Sequence, residues 1–102
     1  MLLKFVRSHV IIAGDVQGVS FRYYTKQKAI SLGIKGWVRN LTSGEVEAIF
    51  EGHEDRIKEI IEWCKKGPWL AKVNNVKVEF SDYKGEFENF ETRWYDFPHS
   101  FK

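Results

Sequence analysis

Hydrophobic and polar positions recur along this chain with two different periods, and the periods predict where strands and helices fall. Residues 9–13, "HVIIA", are a mostly apolar, β-branched run suited to a central strand buried on both faces, and Gly14 ends it. Over residues 21–32 the period becomes helical. Phe21, Tyr24, Thr25, Ala29 and Leu32 share one face, Lys26, Gln27 and Lys28 lie mostly elsewhere, and Gly33 stands where a C-terminal cap is wanted. "IKGWVRN" then reads as a short strand and Leu41, Thr42, Ser43 and Gly44 as a turn. "EVEAIFEG" completes a hairpin, because Val46, Ala48 and Phe50 alternate with Glu45, Glu47 and Ile49.

A second helix is marked by Ile57, Ile60, Ile61 and Cys64 at helical spacing, with Glu54 and Asp55 in its first turn, Lys65 and Lys66 in its last, and Gly67 with Pro68 as the stop. Val76, Val78 and Phe80 alternate with Asn75, Lys77 and Glu79 in a fourth strand, and "FENFETRW" supplies a short fifth. The order βαββαβ with an extra terminal strand is that of an α+β, ferredoxin-like (split βαβ) two-layer sandwich, an antiparallel sheet with two helices on one face. Right-handed crossovers make the first and third strands neighbours at its centre. A chain of 102 residues suits one domain, with a core over about residues 8–92 and an aromatic tail over 94–102. Trp94, Tyr95, Phe97 and Phe101 crowd that tail, so it is expected to pack back on the domain or on a second copy, giving a monomer or a weak homodimer.

Composition narrows the partners. Sixteen basic residues against 14 acidic ones leave a net charge of +2, too little to argue for nucleic acid. Cys64 is alone, which rules out an intramolecular disulfide and reads as a small apolar core residue. His9, His53 and His99 stand apart without ligand spacing, so no metal or other cofactor is expected. Lys4, Arg7 and His9 interrupt "MLLKFVRSHVIIAGD", which therefore reads neither as a signal peptide nor as a membrane span; a cytoplasmic setting without membrane contact is expected. Trp37 and Trp63 read as packing residues rather than as stacking surfaces for a substrate.

The chemistry gathers in "GDVQGVSFRYYT", directly after the first strand. Gly14 and Gly18 can adopt backbone angles closed to other residues, so the NH groups between them can converge into an anion-binding nest. The helix beginning near Phe21 adds unpaired NH groups and its dipole, and Arg22 in its first turn offers a planar fork of donors to two oxygens of a phosphate or carboxylate. The spacing is neither that of a Walker A loop nor G-x-G-x-x-G, which argues against a nucleotide. By itself the loop is equally consistent with a plain strand-to-helix turn beside a solvated arginine.

A resemblance decides between them. "GDVQGVSFR" resembles the acylphosphatase signature G-x-V-Q-G-V-x-F-R at every defined position, and "GIKGWVRN" is similar to that family's second block, G-x-x-G-x-V-x-N. The likeness runs from about Ser8 to about Thr92. It implies hydrolysis of a carboxyl phosphate to carboxylate and inorganic phosphate, without metal or covalent intermediate. Arg22 would be the phosphate-binding arginine and Asn40 the residue that orients the attacking water. Gly14, Asp15, Val16, Gln17, Gly18 and Val19 would form the phosphate cradle, and Thr25 a supporting hydroxyl near Asn40 or the loop. An amide cannot accept a proton at neutral pH, so Asn40 is an orienter, not a general base. Asp15 is expected to face solvent, because a carboxylate turned inward would repel the phosphate.

Two other classes compete. Ferredoxin-like sheets also bind RNA through exposed aromatics, and Phe87, Phe90, Trp94 and Tyr95 invite that reading, but "KGEFENFE" lacks the RNP1 aromatic at its third position. An anion-binding module without turnover is the other, since a fold never guarantees an activity.

Overall fold

The protein is described by a computed structural model over residues 4–94. In chain order the elements are β1 (Phe5–Asp15), α1 (Phe21–Ser31), β2 (Lys35–Asn40), β3 (Val46–His53), α2 (Glu54–Lys66), β4 (Lys72–Asp82) and β5 (Phe90–Arg93). The sheet order is β4-β1-β3-β2-β5, which puts β1 and β3 at its centre as the crossover rule requires. Its first four strands pair antiparallel, while β5 joins the β2 edge in parallel, so the complete sheet is mixed. Getting there obliges residues 83–89 to carry the chain from one edge of the sheet to the other. They do so at the end where β1 and β2 begin and β3 finishes, since Asp82 lies opposite Val6 and Phe90 opposite Gly36.

Both helices cover one face. Val6, Val10 and Ile12 of β1, Val38 of β2 and Val46, Ala48 and Phe50 of β3 form the core with Phe21 and Ala29 of α1 and Ile57, Ile60, Ile61 and Cys64 of α2. Alternate positions supply it, as a pleated strand demands. Each buried isoleucine of α2 contributes about 1.5–3 kcal/mol relative to exposure. α1 ends in a Schellman motif, with Ile34 N–H donating to the Ala29 carbonyl at 2.9 Å and Gly33 N–H to that of Ile30 at 3.1 Å.

Several sequence expectations shift. β1 is longer than residues 9–13 and is fully buried on one face alone, because Arg7 and His9 point away from the helices and only half-bury. The apolar stripe of α1 is narrower than its pattern, Tyr24 being 48% exposed. Trp63 does pack, its ring 5.6 Å from that of Phe21, whereas Trp37 lies on the helix-free face with the guanidiniums of Arg39 and Arg93 each 5.0 Å from its ring. Phe90 is a core residue stacked on Phe50, and Phe87 lies beneath Arg7, so neither is a free stacking surface. Residues 95–102, and with them the packing expected of Tyr95, Phe97 and Phe101, lie outside the described residues. Among the described residues no helix is long and apolar enough to cross a membrane.

Two core groups give simple tests. Burial pushes the Cys64 thiol up to about 12, which leaves almost no thiolate at neutral pH. Cys64 is therefore expected to resist a disulfide reagent in the native protein and to react at once in denaturant; rapid native labelling would contradict its burial. The Ser8 hydroxyl, fully buried in β1 among the helix-facing residues, has no hydrogen-bond partner among the described residues. Ser8→Ala removes an unsatisfied polar atom without opening a large cavity, so stability should stay level or rise by about 1 kcal/mol in a denaturant titration.

Candidate active site

The site is built where β1 breaks off. The β1/β4 register shifts between Ala13 and Gly14, leaving Asn74 as the extra residue of a bulge. Gly14 has φ +132°, and a Cβ there would stand 2.1 Å from the Lys72 carbonyl oxygen, so the crossing requires glycine. Gly18, at φ +74°, turns the loop again through open space, and Ser20 follows at φ 63° as the N-cap of α1. These left-handed turns bend the backbone toward the start of the helix. Among the described residues no side chain caps that start, which leaves its first-turn amides available to an anion.

Gln17 joins the loop to the hairpin. Its side-chain amide donates to the Leu41 carbonyl at 2.7 Å and to the Glu45 carbonyl at 2.9 Å, on either side of the β2/β3 turn. Asn40, the last residue of β2, adjoins that turn and is only 7% exposed. The consequence is a cleft of about 650 Å³ whose lining includes Val16, Gly18, Ser20, Arg22 and Asn40. Arg22 and Asn40, on different elements, thus share one space.

Arg22 is unlike the other arginines. Arg7, Arg39, Arg56 and Arg93 each have a carboxylate within ion-pair distance. Arg22 instead donates from Nη1 to the Arg93 main-chain carbonyl at 2.8 Å, and among the described residues no acidic side chain neutralises it. Its charge is held in direction and left uncompensated among the described residues.

The remaining loop and helix residues divide by role. Asp15 is exposed and outside the cleft lining, in keeping with its expected direction. Val19 packs against the core. Thr25 is fully buried and donates to the Phe21 carbonyl at 2.8 Å, so it braces the first turn of α1 from within instead of facing the cleft. Lys26, Gln27, Tyr23, Thr92, Arg93 and Trp94 also line the cleft and were not foreseen. Lys26 had a signal, standing four residues beyond Arg22 on the same helix face. The Arg93 carbonyl had none, since backbone acceptors leave no trace in residue type.

Residues 8–92 match the model of the Acylphosphatase family. The chain belongs to the acylphosphatase family. It is 49% identical over 84 residues to an acylphosphatase of Pelotomaculum thermopropionicum, covering 82% of this chain and 91% of that one. With an acylphosphatase of Aeropyrum pernix it shares 49% over 92 residues, 89% of this chain and 91% of the relative. The structure of an acylphosphatase from Coxiella burnetii superposes with a TM-score of 0.84 at 38% identity, over 88% of this chain and 94% of the other.

The Gln17 clamp sets an expectation for this acylphosphatase-family site. Gln17→Ala removes both side-chain bonds to the hairpin and should cost about 1–3 kcal/mol, at about 0.5–1.5 kcal/mol per net hydrogen bond, the two carbonyls keeping their main-chain donors, Gly44 N–H for Leu41 and Leu41 N–H for Glu45. Equilibrium unfolding in urea measures it. A loss below a few tenths of a kcal/mol would show that the loop holds its place without the clamp.

Proposed function

We propose that this protein hydrolyses acyl phosphates to a carboxylate and inorganic phosphate by direct attack of water, with the phosphoryl group held by Arg22 and loop amides and the water oriented by Asn40. The observation that carries the reading is an uncompensated arginine and a buried asparagine lining one cleft with the uncapped start of α1. Family membership agrees with it.

Phosphoryl transfer to water asks chiefly for positioning and for charge on the equatorial oxygens to be met. Arg22 supplies a cation, and the amides near Gly18 and the α1 start supply a nest for the remaining oxygens. Asn40 accepts a hydrogen bond from water through its carbonyl and donates through its NH₂, which fixes the direction of a lone pair without removing a proton. The water oxygen bonds to phosphorus as the bond from phosphorus to the acyl oxygen breaks, and the electron pair leaves on the carboxylate. The water protons pass to a phosphate oxygen or to solvent. A carboxylate is a good leaving group, so no strong protein acid is required.

Steady-state assays test this with benzoyl phosphate beside a phosphate monoester, in the presence of EDTA. Hydrolysis of the acyl phosphate alone, inhibited competitively by inorganic phosphate, is expected. Phosphate binding without turnover would make the protein an anion-binding module, and loss of activity with EDTA would overturn the metal-free route. Two variants then separate the roles. Arg22→Ala should lose both phosphate affinity and turnover, whereas Asn40→Ala should lower kcat by about 100-fold or more with phosphate inhibition nearly intact. Near-normal turnover in folded Asn40→Ala would refute water orientation by that residue.

A further inference from the structure

At the end of the sheet remote from the cleft, on the helix-free face, a carboxylate is buried where the core pattern of β3 has no use for it. Glu51 is 2% exposed. Burying a carboxylate costs several kcal/mol unless donors surround it. Glu51 has them: its Oε2 accepts from Lys84 N–H at 2.9 Å and from Arg7 Nη1 at 3.3 Å, and its Oε1 accepts from Glu86 N–H at 3.3 Å. Arg7 also reaches the Glu86 carboxylate and lies over the Phe87 ring. Every one of these partners except Arg7 belongs to residues 83–89, the segment that crosses the sheet. Glu51 is the pin of that crossing.

The crossing delivers β5. Gly36 N–H donates to the Asn89 carbonyl at 3.0 Å, Phe90 enters the core against Phe50, and β5 runs parallel to β2 toward the cleft. Its last residue, Arg93, presents the carbonyl that receives Arg22. β5 is a four-residue edge strand bonded on one side to β2, so its placement depends heavily on what precedes it. We infer that Glu51 is a positioning residue for Arg22, acting through the 83–89 crossing and β5, although it lies at the opposite end of the sheet from the cleft. The consequence for phosphate rests on the role given to Arg22 above; the consequence for the guanidinium itself does not.

The test uses Glu51→Gln, which keeps shape and removes the charge, with Arg7→Gln as a second variant that loosens the same cluster should the first fail to fold. Nitrogen-15 NMR reads solvent exchange of the Arg22 side-chain NH groups, and calorimetry reads binding of inorganic phosphate. In the folded variant the Arg22 exchange should quicken about tenfold and phosphate affinity fall about tenfold, within the range of coupling seen for residues joined by one network. In an Arg22→Ala background, Glu51→Gln should bring no further loss of phosphate affinity. A lowered melting temperature with unchanged Arg22 exchange would overturn the proposal and reduce Glu51 to a support for the crossing segment. If the wild-type protein binds no phosphate, the phosphate reading of the site falls, while the Arg22 exchange still decides for or against Glu51.

Discussion

One side-chain amide, that of Gln17, holds together parts of the chain that the cleft needs in one place. The loop after β1, the first turn of α1 and the end of β2 belong to three segments, and the sheet alone fixes only the first and last at their strand ends. By donating to the carbonyls of Leu41 and Glu45, Gln17 binds the loop to both arms of the β2/β3 turn. Each carbonyl has two lone pairs, so Leu41 can also accept from Gly44 N–H at 3.0 Å and keep the turn closed. The bonds are worth little singly. Their effect is preorganisation: in the proposed function a nest of amides and a water-orienting asparagine would act only when their separation is fixed before the anion arrives.

Much of this was legible in the sequence because it depends on side-chain type. A continuous apolar run for β1 and periodic patterns elsewhere located all seven elements, and alternation in "EVEAIFEG" gave the correct core face of β3. Gly14 and Gly18 marked the loop because their backbone angles are closed to other residues. What escaped was set by tertiary geometry. Glu51 sits in a run where alternation assigns it to the open face, and nothing local tells that residues 83–89 will cover it. The parallel entry of β5 follows from the same crossing, and Trp37 gained the Arg93 guanidinium, beside that of Arg39 on its own strand, only through the register of β2 with β5. Gln17 was read for its backbone, while its side chain carries the clamp.

The helix-free face shows how a nearly neutral chain can still leave one arginine without a carboxylate partner among the described residues. Glu47 takes Arg39 at 2.7 Å and His9 at 2.6 Å, Glu91 takes Arg93 at 3.1 Å, and Glu51 takes Arg7. These pairs satisfy the polar side of the sheet and neutralise most of its arginines locally. They also leave Arg22 without a carboxylate at ion-pair distance among the described residues, in a cleft that Lys26 lines as well.

A neutral partner for Arg22 is what the proposed phosphate site would require. A lone guanidinium on a helix has many rotamers, and fixing one costs about 2 kcal/mol of side-chain entropy. A carboxylate neighbour would fix it but would cancel the charge and repel the incoming phosphate, with an interaction near 4 kcal/mol at about 4 Å in an effective dielectric of about 20. The Arg93 carbonyl takes one NH of the guanidinium at 2.8 Å and leaves the net charge intact, with further donors of the fork free for oxygens of the ligand. A main-chain acceptor also cannot be lost by a side-chain rotation, provided its strand stays in register. That condition transfers the burden from Arg22 to β5, and from β5 to the segment that carries the chain across the sheet.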